Sequence, residues 1–356
     1  MVGGVFDRAP ARVYWELTRA CDLACRHCRA EALHEREAGE LTTEECQRVL
    51  RQLAAAGQPL PHVVFTGGDP LKRPDLLELV RYAVGLGLGV SVAPSATHAL
   101  DQAAVDALKA AGVAAMSLSL DGSTAARHDG IRGVPGCFDE TLAAARRITG
   151  TGIPLQINTL VTAETEPDLE GTAGVVARVG AARWSLFFLI SVGRGRTLTP
   201  LSAHECEATL QWLAMRARSW PFVLTTTEAP HYRRVLVESM QRAGASARQI
   251  GESPMARSFG FRDGNGIMFI ASNGDVTPSG FLPLAAGNAR NGDVLAIYRE
   301  APLFRQLRDP DGFHGRCGIC RFRTMCGGSR ARAFAATGDV LGEDPLCAYE
   351  PAAAVV

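Results

Sequence analysis

The sequence predicts an α/β protein: a partial (β/α)6 barrel followed by a small C-terminal, cysteine-rich α+β domain. Three observations lead there. Short apolar, β-branched runs alternate with longer Ala/Leu/Arg segments over the first two hundred residues; the rhythm changes after Ile190; and seven of the ten cysteines bunch near the two ends of the chain. Strand–helix alternation at this spacing implies parallel strands with helices outside. Six repeats fall short of the eight that close a full barrel, so an open one is expected.

Strands are expected near Val13–Leu17, His62–Phe65, Gly89–Ala93, Ala115–Leu120, Leu155–Val161 and Trp184–Ile190. Helical periodicity falls between them, at Thr43–Ala56, Pro74–Leu86, Asp101–Ala111, Phe138–Thr149 and Asp168–Val179. Thr42-Thr43-Glu44-Glu45 reads as a capped first turn, Arg73-Pro74-Asp75 puts proline just inside a helix, and Gly57, Gly112 and Gly180 close helices. After a loop-like Ser191-Val192-Gly193-Arg194-Gly195-Arg196, one more helix covers His204–Ser219, and Thr225–Arg262 reads as mixed and partly helical. From Gly266 a hairpin is expected, with Ile267–Ala271 and Val276–Pro278 joined at Asn273-Gly274. These boundaries divide the chain into 1–200, a bridging segment 201–255, and 256–356.

Composition excludes several classes. Apolar residues make up 47% of 356, too many for a disordered chain. Lys+Arg and Asp+Glu are 37 each, so the basic excess expected of a nucleic-acid or anionic-membrane binder is missing. The opening Met1-Val2-Gly3-Gly4-Val5-Phe6-Asp7-Arg8 lacks the apolar run of a signal peptide, and no apolar stretch is long enough to span a bilayer. Ten cysteines are too dilute for a disulfide scaffold. A reducing cytoplasm is expected, where clustered cysteines read as metal ligands or redox groups.

The first cluster, Cys21-x3-Cys25-x2-Cys28, directly follows the first strand, on the loop at its C-terminal end, where barrels of this kind build active sites. Three thiolates with one open position suit a catalytic metal centre, although zinc held with His27 or His34 uses the same residue types. The turn after the second strand reads Phe65-Thr66-Gly67-Gly68-Asp69-Pro70. Together the triad and this turn resemble the radical S-adenosylmethionine (SAM) superfamily. The resemblance implies a [4Fe–4S] cluster on the three cysteines, His27 near the SAM adenine, and Gly67, Gly68 and Asp69 at the SAM amino group. It also implies roles for Ser119 and Asp121 at the fourth strand's end, for Arg132 toward the SAM carboxylate, and for Asn158 at the same mouth. The implied chemistry is one-electron cleavage of SAM to methionine and a 5′-deoxyadenosyl radical, with electrons from a reduced flavodoxin or ferredoxin.

Near the C-terminus stand Cys317, Cys320, Cys326 and Cys347. Four cysteines saturate either zinc or a [4Fe–4S] cluster, and spacing alone does not choose. Joined to a radical SAM core, the pattern resembles the SPASM or Twitch extension, which implies an auxiliary iron–sulfur cluster. A second auxiliary cluster would need cysteines around the hairpin, at Gly266-Ile267-Met268-Phe269 and Thr277-Pro278-Ser279-Gly280, and neither has one. The expected inventory is therefore two clusters and SAM. Cys46, Cys137 and Cys206 read as packing residues.

Trp15–Cys21, Gly193-Arg194-Gly195, Ser279–Pro283 and Cys326–Ala333 resemble the tetrapyrrole-modifying branch of the superfamily. That implies a substrate carrying propionates, with Arg194 and Arg196 suited to carboxylates by their planar, permanently charged guanidinium groups. The alternatives are a maturase of a ribosomally made peptide and a zinc-stabilised binding protein without enzymatic activity. With Cys21 so near the start, an N-terminal peptide-recognition domain is not expected.

Overall fold

The computed structural model describes residues 6–351. Met1–Val5, part of the stretch read for a signal peptide, and residues 352–356 lie outside them. Seven parallel strands follow one another in space as in sequence: β1 (Arg12–Glu16), β2 (His62–Thr66), β3 (Gly89–Val92), β4 (Ala115–Ser119), β5 (Leu155–Val161), β6 (Arg183–Phe188) and β7 (Val223–Thr227). Between them run α1 (Thr43–Ala54), α2 (Leu76–Gly85), α3 (Gln102–Ala110), α4 (Ala125–Arg132), α5 (Cys137–Gly150), α6 (Leu169–Arg178) and α7 (Ala203–Arg216), and α8 (Tyr232–Arg242) follows β7. The six expected strands are present. The seventh, β7, begins just before the stretch read as mixed and partly helical and runs into it.

Period-two alternation in the strands explains the layering. Val13 and Trp15, Val63 and Phe65, Val90 and Val92, Met116 and Leu118, and Leu155 and Ile157 are buried in one core with the apolar stripes of the helices. Their alternates, among them Tyr14, Thr66, Ser91, Ser119 and Asn158, are only half-buried. The outer face of the sheet is thus dry and packed, and the inner face is polar and partly open. The helices start as their sequences ask: the Thr42 and Glu45 side chains bond each other's backbone N–H groups at the head of α1, and Ser202 and Glu205 do the same for α7.

The C-terminal region does not build a separate sheet. β8 (Arg262–Asp263), β9 (Gly266–Ile270), β10 (Asp275–Thr277) and β11 (Gly287–Asn288) extend the barrel sheet, because β9 pairs in parallel with β1. The hairpin β9–β10 is antiparallel as expected. Arg290 ties the two regions further, donating to both carboxylate oxygens of Glu45 at 2.9 and 2.8 Å. Among the described residues no helix is long and apolar enough to cross a membrane.

Candidate functional site

The loop leaving β1 carries Cys21, Cys25 and Cys28, and neighbouring backbone holds its course. Cys21 N donates to Leu33 O at 2.7 Å, and Arg26 N donates to Ile131 O at 2.9 Å. The turn after β2 packs against it, with Gly68 N donating to Thr18 O at 2.8 Å and Asp69 N to Ala20 O at 2.7 Å. A Cβ on Gly67 would stand 2.4 Å from Thr18 O, and one on Gly68 2.4 Å from Ala20 O. Glycine is required here so that two loops can close on each other. The Gly68 N–H is thus taken up by the cluster loop.

Asp69 is buried; its Oδ1 accepts from Leu71 N at 3.1 Å and Ser95 N at 3.3 Å, while Oδ2 is sealed without a hydrogen-bond partner. Burial pushes its carboxyl up to about 6. Ser95, at the end of β3, also donates to Gly68 O at 3.1 Å and lies 3.3 Å from Cys21 Sγ. Sequence reading missed Ser95, whose only local signal is its place just after a strand.

Arg132 and Asp121 are brought together beside the triad. Arg132 Nη2 pairs with Asp121 Oδ2 at 2.6 Å, both residues are buried, and Arg132 Nη1 stands 3.5 Å from Cys25 Sγ. Asp121 Oδ1 is taken by Leu160 N at 2.7 Å. The two charges neutralise each other beside the cluster loop, and the segment carrying Arg132 is helix α4, for which the sequence periodicity predicted no element. Ser119 and Asn158 are register partners on the inner face. The His27 ring has a sealed, unpartnered Nδ1, and burial together with the Arg132 charge lowers it to about 4, so it is neutral.

Arg194 sits on the single-turn helix Gly193–Thr197, which is seated on the cluster loop. Arg194 N donates to Cys28 O at 3.1 Å, and a Cβ on Gly193 would stand 2.6 Å from that same carbonyl. Its Nε and Nη2 are sealed from solvent and find no acceptor among the described residues. Arg196, two residues on, is exposed.

Cys317, Cys320, Cys326 and Cys347 line one cavity, so the fold brings Cys347 to the other three across twenty residues of chain. Backbone N–H groups of Phe322 and Gly328 point at Cys320 Sγ and Cys326 Sγ, at 3.4 and 3.5 Å. Gly327 and Gly328 have φ of +71° and +64°, and a Cβ on Gly328 would lie 2.5 Å from Arg330 Nη2 and 3.2 Å from Cys317 Sγ. Asp344 anchors the segment bearing Cys347 by accepting from Ser329 N, Leu346 N and the Arg332 guanidinium. Burial pushes the Cys326 thiol up to about 12 and Cys347 to about 11, so a metal centre must displace protons on binding. Among the described residues no three His, Cys, Asp or Glu side chains converge on a single-ion position. The shared cavity and the N–H groups aimed at sulfur fit a metal centre held by four thiolates.

At the hairpin, Met268 is fully buried and Ser279 Oγ accepts from Phe281 N at 3.3 Å, which makes Ser279 a turn residue. Cys46, Cys137 and Cys206 are buried, the last with its Sγ 3.3 Å from His231 Nε2.

Residues 15–176 match the model of the radical SAM superfamily. The chain is 38% identical over 343 residues to an AdoMet-dependent heme synthase of Methanosarcina barkeri, covering 96% of this chain and 97% of that one. It is also 38% identical to an AdoMet-dependent heme synthase of Oleidesulfovibrio alaskensis, covering 97% and 89%. Among solved structures, Streptococcus suis SuiB bound to S-adenosylmethionine superposes with a TM-score of 0.74 at 18% identity, over 96% of this chain and 77% of that one, a likeness of fold. With the cysteine triad and the glycine turn closed on each other at the barrel mouth, this chain belongs to the radical SAM superfamily.

Proposed function

We propose that this enzyme decarboxylates or trims propionate side chains of a tetrapyrrole. The observation that carries the reading is its likeness, across nearly the whole chain, to AdoMet-dependent heme synthases. The site agrees with it chemically. Arg194, half-buried, offers two sealed, unpartnered nitrogens beside the cluster loop, and a guanidinium without an acceptor is suited to a substrate carboxylate.

In this reading Cys21, Cys25 and Cys28 hold a [4Fe–4S] cluster, and Cys317, Cys320, Cys326 and Cys347 hold a second, auxiliary one. SAM would be held at the first by Asp69 for its amino group, by Ser119 and Asn158 of the inner face, and by His27 for the adenine. When bound and reduced, the first cluster supplies the electron that cleaves SAM to methionine and a 5′-deoxyadenosyl radical, which takes hydrogen from the substrate. The chain's part is to orient: the neutral His27 adds no charge, the Asp121–Arg132 pair fixes α4 behind Cys25, and the glycine turn sets the loop height. Residues 1–200 do most of this work, 201–255 add α7 and β7 to the barrel and lead on, and 256–356 carry the auxiliary site. The protein works in the cytoplasm, with electrons from a flavodoxin- or ferredoxin-type donor.

The test is mass spectrometry of anaerobic reactions containing loaded enzyme, SAM, dithionite and iron porphyrins that carry propionates. Loss of carboxyl groups from a porphyrin, with 5′-deoxyadenosine formed alongside, is expected. Unchanged porphyrins, with turnover only on a precursor peptide, would assign the enzyme to peptide maturation.

A further inference from the structure

Three arginines near the four-cysteine site form no ion pair with a carboxylate among the described residues, while Glu343 and Asp344 line the cavity itself. Arg330 is fully buried on the helix Arg330–Thr337, with Nη2 3.6 Å from Cys317 Sγ. Its remaining bonds go to the carbonyls of Gly328, Val340 and Gly342. Arg262, 4% exposed, donates to the carbonyls of Gly260 and Leu307, and its Nε is sealed without a partner. Arg233 donates to Ser258 Oγ and Phe261 O, and its Nη1 is likewise sealed and unpartnered. Every acceptor these three arginines find among the described residues is a carbonyl, a hydroxyl or a thiol. Burial lowers Arg233 and Arg262 only to about 10, so both stay charged at neutral pH; Cys326 draws both back up, and Asp263 also draws up Arg262.

At the N-terminal triad the arginine that reaches a cysteine sulfur is paired, while Arg194 on the neighbouring turn finds no acceptor among the described residues. Arg132 stands at nearly the same distance from a cysteine sulfur, 3.5 Å from Cys25, but Asp121 neutralises it at 2.6 Å. Arg29, on that loop, is paired with Glu16 at 3.1 Å. Near the C-terminal site the other buried arginines do have partners, Arg234 with Glu207 and Glu238 and Arg332 with Asp344. The imbalance therefore rests on Arg233, Arg262 and Arg330.

A buried cation is costly unless an anion lies close by. The anions available here are the cysteines themselves once they have released protons to ligate a centre. One-electron reduction of an iron–sulfur cluster adds one negative charge, which uncompensated cations at short range favour in a low dielectric. We propose that Arg233, Arg262 and Arg330 hold the auxiliary cluster at a higher reduction potential than the N-terminal cluster, so that it takes up an electron first. The proposal rests on the iron–sulfur reading of the four-cysteine site. The three arginines act through the cluster's surroundings and are positioning residues.

The test is a dithionite titration with redox mediators, followed by EPR, on reconstituted whole protein. The Cys21→Ala/Cys25→Ala/Cys28→Ala variant isolates the auxiliary signal, and Cys317→Ala/Cys320→Ala isolates the N-terminal one. The auxiliary midpoint is expected above the N-terminal midpoint, to fall in Arg330→Gln, and to recover in Arg330→Lys. An auxiliary midpoint at or below the N-terminal one overturns the proposal. So does an unmoved midpoint in Arg330→Gln that retains its iron. If Arg330→Gln loses iron because its carbonyl bonds are needed for folding, Arg233→Gln, at a less buried side chain, decides by the same shift. A triple-cysteine variant that binds no iron overturns the iron–sulfur reading itself, an outcome distinct from normal iron with an unmoved potential.

Discussion

At Asp69, burial and hydrogen bonding pull in opposite directions. Desolvation drives its carboxyl up to about 6, while the Leu71 and Ser95 N–H groups pull it back. A carboxyl raised in the fold favours its neutral form, so the penalty is absent at low pH, grows as pH passes the unfolded value near 3.8, and is complete above about 6. It amounts to something on the order of 2–3 kcal/mol. Asparagine keeps an oxygen for both N–H groups and removes the charge. Cluster-free Asp69→Asn is therefore expected to be more stable than the parent at pH 7 and equal to it near pH 4, as urea unfolding across that range would show. In loaded protein the same change should weaken SAM binding by about tenfold or more, since a charge-assisted bond is lost. Unchanged SAM affinity would leave Asp69 as a turn-forming residue only. Arg194→Leu should raise the porphyrin KM by about tenfold or more through loss of a charge-assisted contact, while SAM cleavage without porphyrin continues. If KM does not move, the sealed guanidinium does not face the substrate. Cys25→Ala should abolish 5′-deoxyadenosine formation, and Cys320→Ala should leave uncoupled cleavage; persistent cleavage in the first variant would refute the triad.

Turns, more than strands, decide whether these sites assemble. Gly68→Ala would drive a methyl group to 2.4 Å from Ala20 O and 2.6 Å from Arg19 O, both backbone, so the cluster loop itself must move. Iron from the N-terminal site should be lost while the far-ultraviolet circular dichroism is kept. Gly57→Ala is the control: its φ is +84° but nothing lies within 4 Å, so it should cost about 1 kcal/mol and no iron. Retention of full iron in Gly68→Ala would mean that the loop tolerates displacement. The same scale separates what the sequence discloses from what it hides. Strands with buried β-branched alternates, such as Leu155–Val161, are read correctly because their pattern records burial. Val223–Thr227 has no buried residue, and its Thr-rich wording carries no core signal. Helix α4 is polar, Gly-containing and held by tertiary bonds, His128 Nδ1 to Asp121 N at 3.0 Å and Arg132 to Asp121, which local periodicity does not record. Cysteine spacing reveals the ligands because thiols are few. Arginine supplies all but two of the chain's Lys+Arg residues, so the three left without a carboxylate are indistinguishable by sequence from the rest.

At the scale of the whole molecule, the regions that carry the two cysteine sites share one sheet. β1 leads directly into the N-terminal triad, and it is paired on one side with β2 and on the other with β9, the strand that opens the auxiliary region. Met268 and Ile270 of β9 are fully buried in the same core as Val13 and Trp15. Removing the C-terminal region would leave β1 an unpaired edge with this core exposed. The N-terminal and C-terminal parts should therefore unfold together, in contrast to domains joined by a linker with a small polar interface. Calorimetry of the cluster-free chain should show one transition, and Arg290→Ala, which breaks the bond to Glu45 and the contact of Nη2 with Gly39 O, should shift that transition without splitting it. Residues 1–255 expressed alone should aggregate. Two separate transitions, or a soluble, cooperatively folded 1–255 segment, would show that the auxiliary region is an appendage, and the common sheet could then not be what fixes the distance between the two sites.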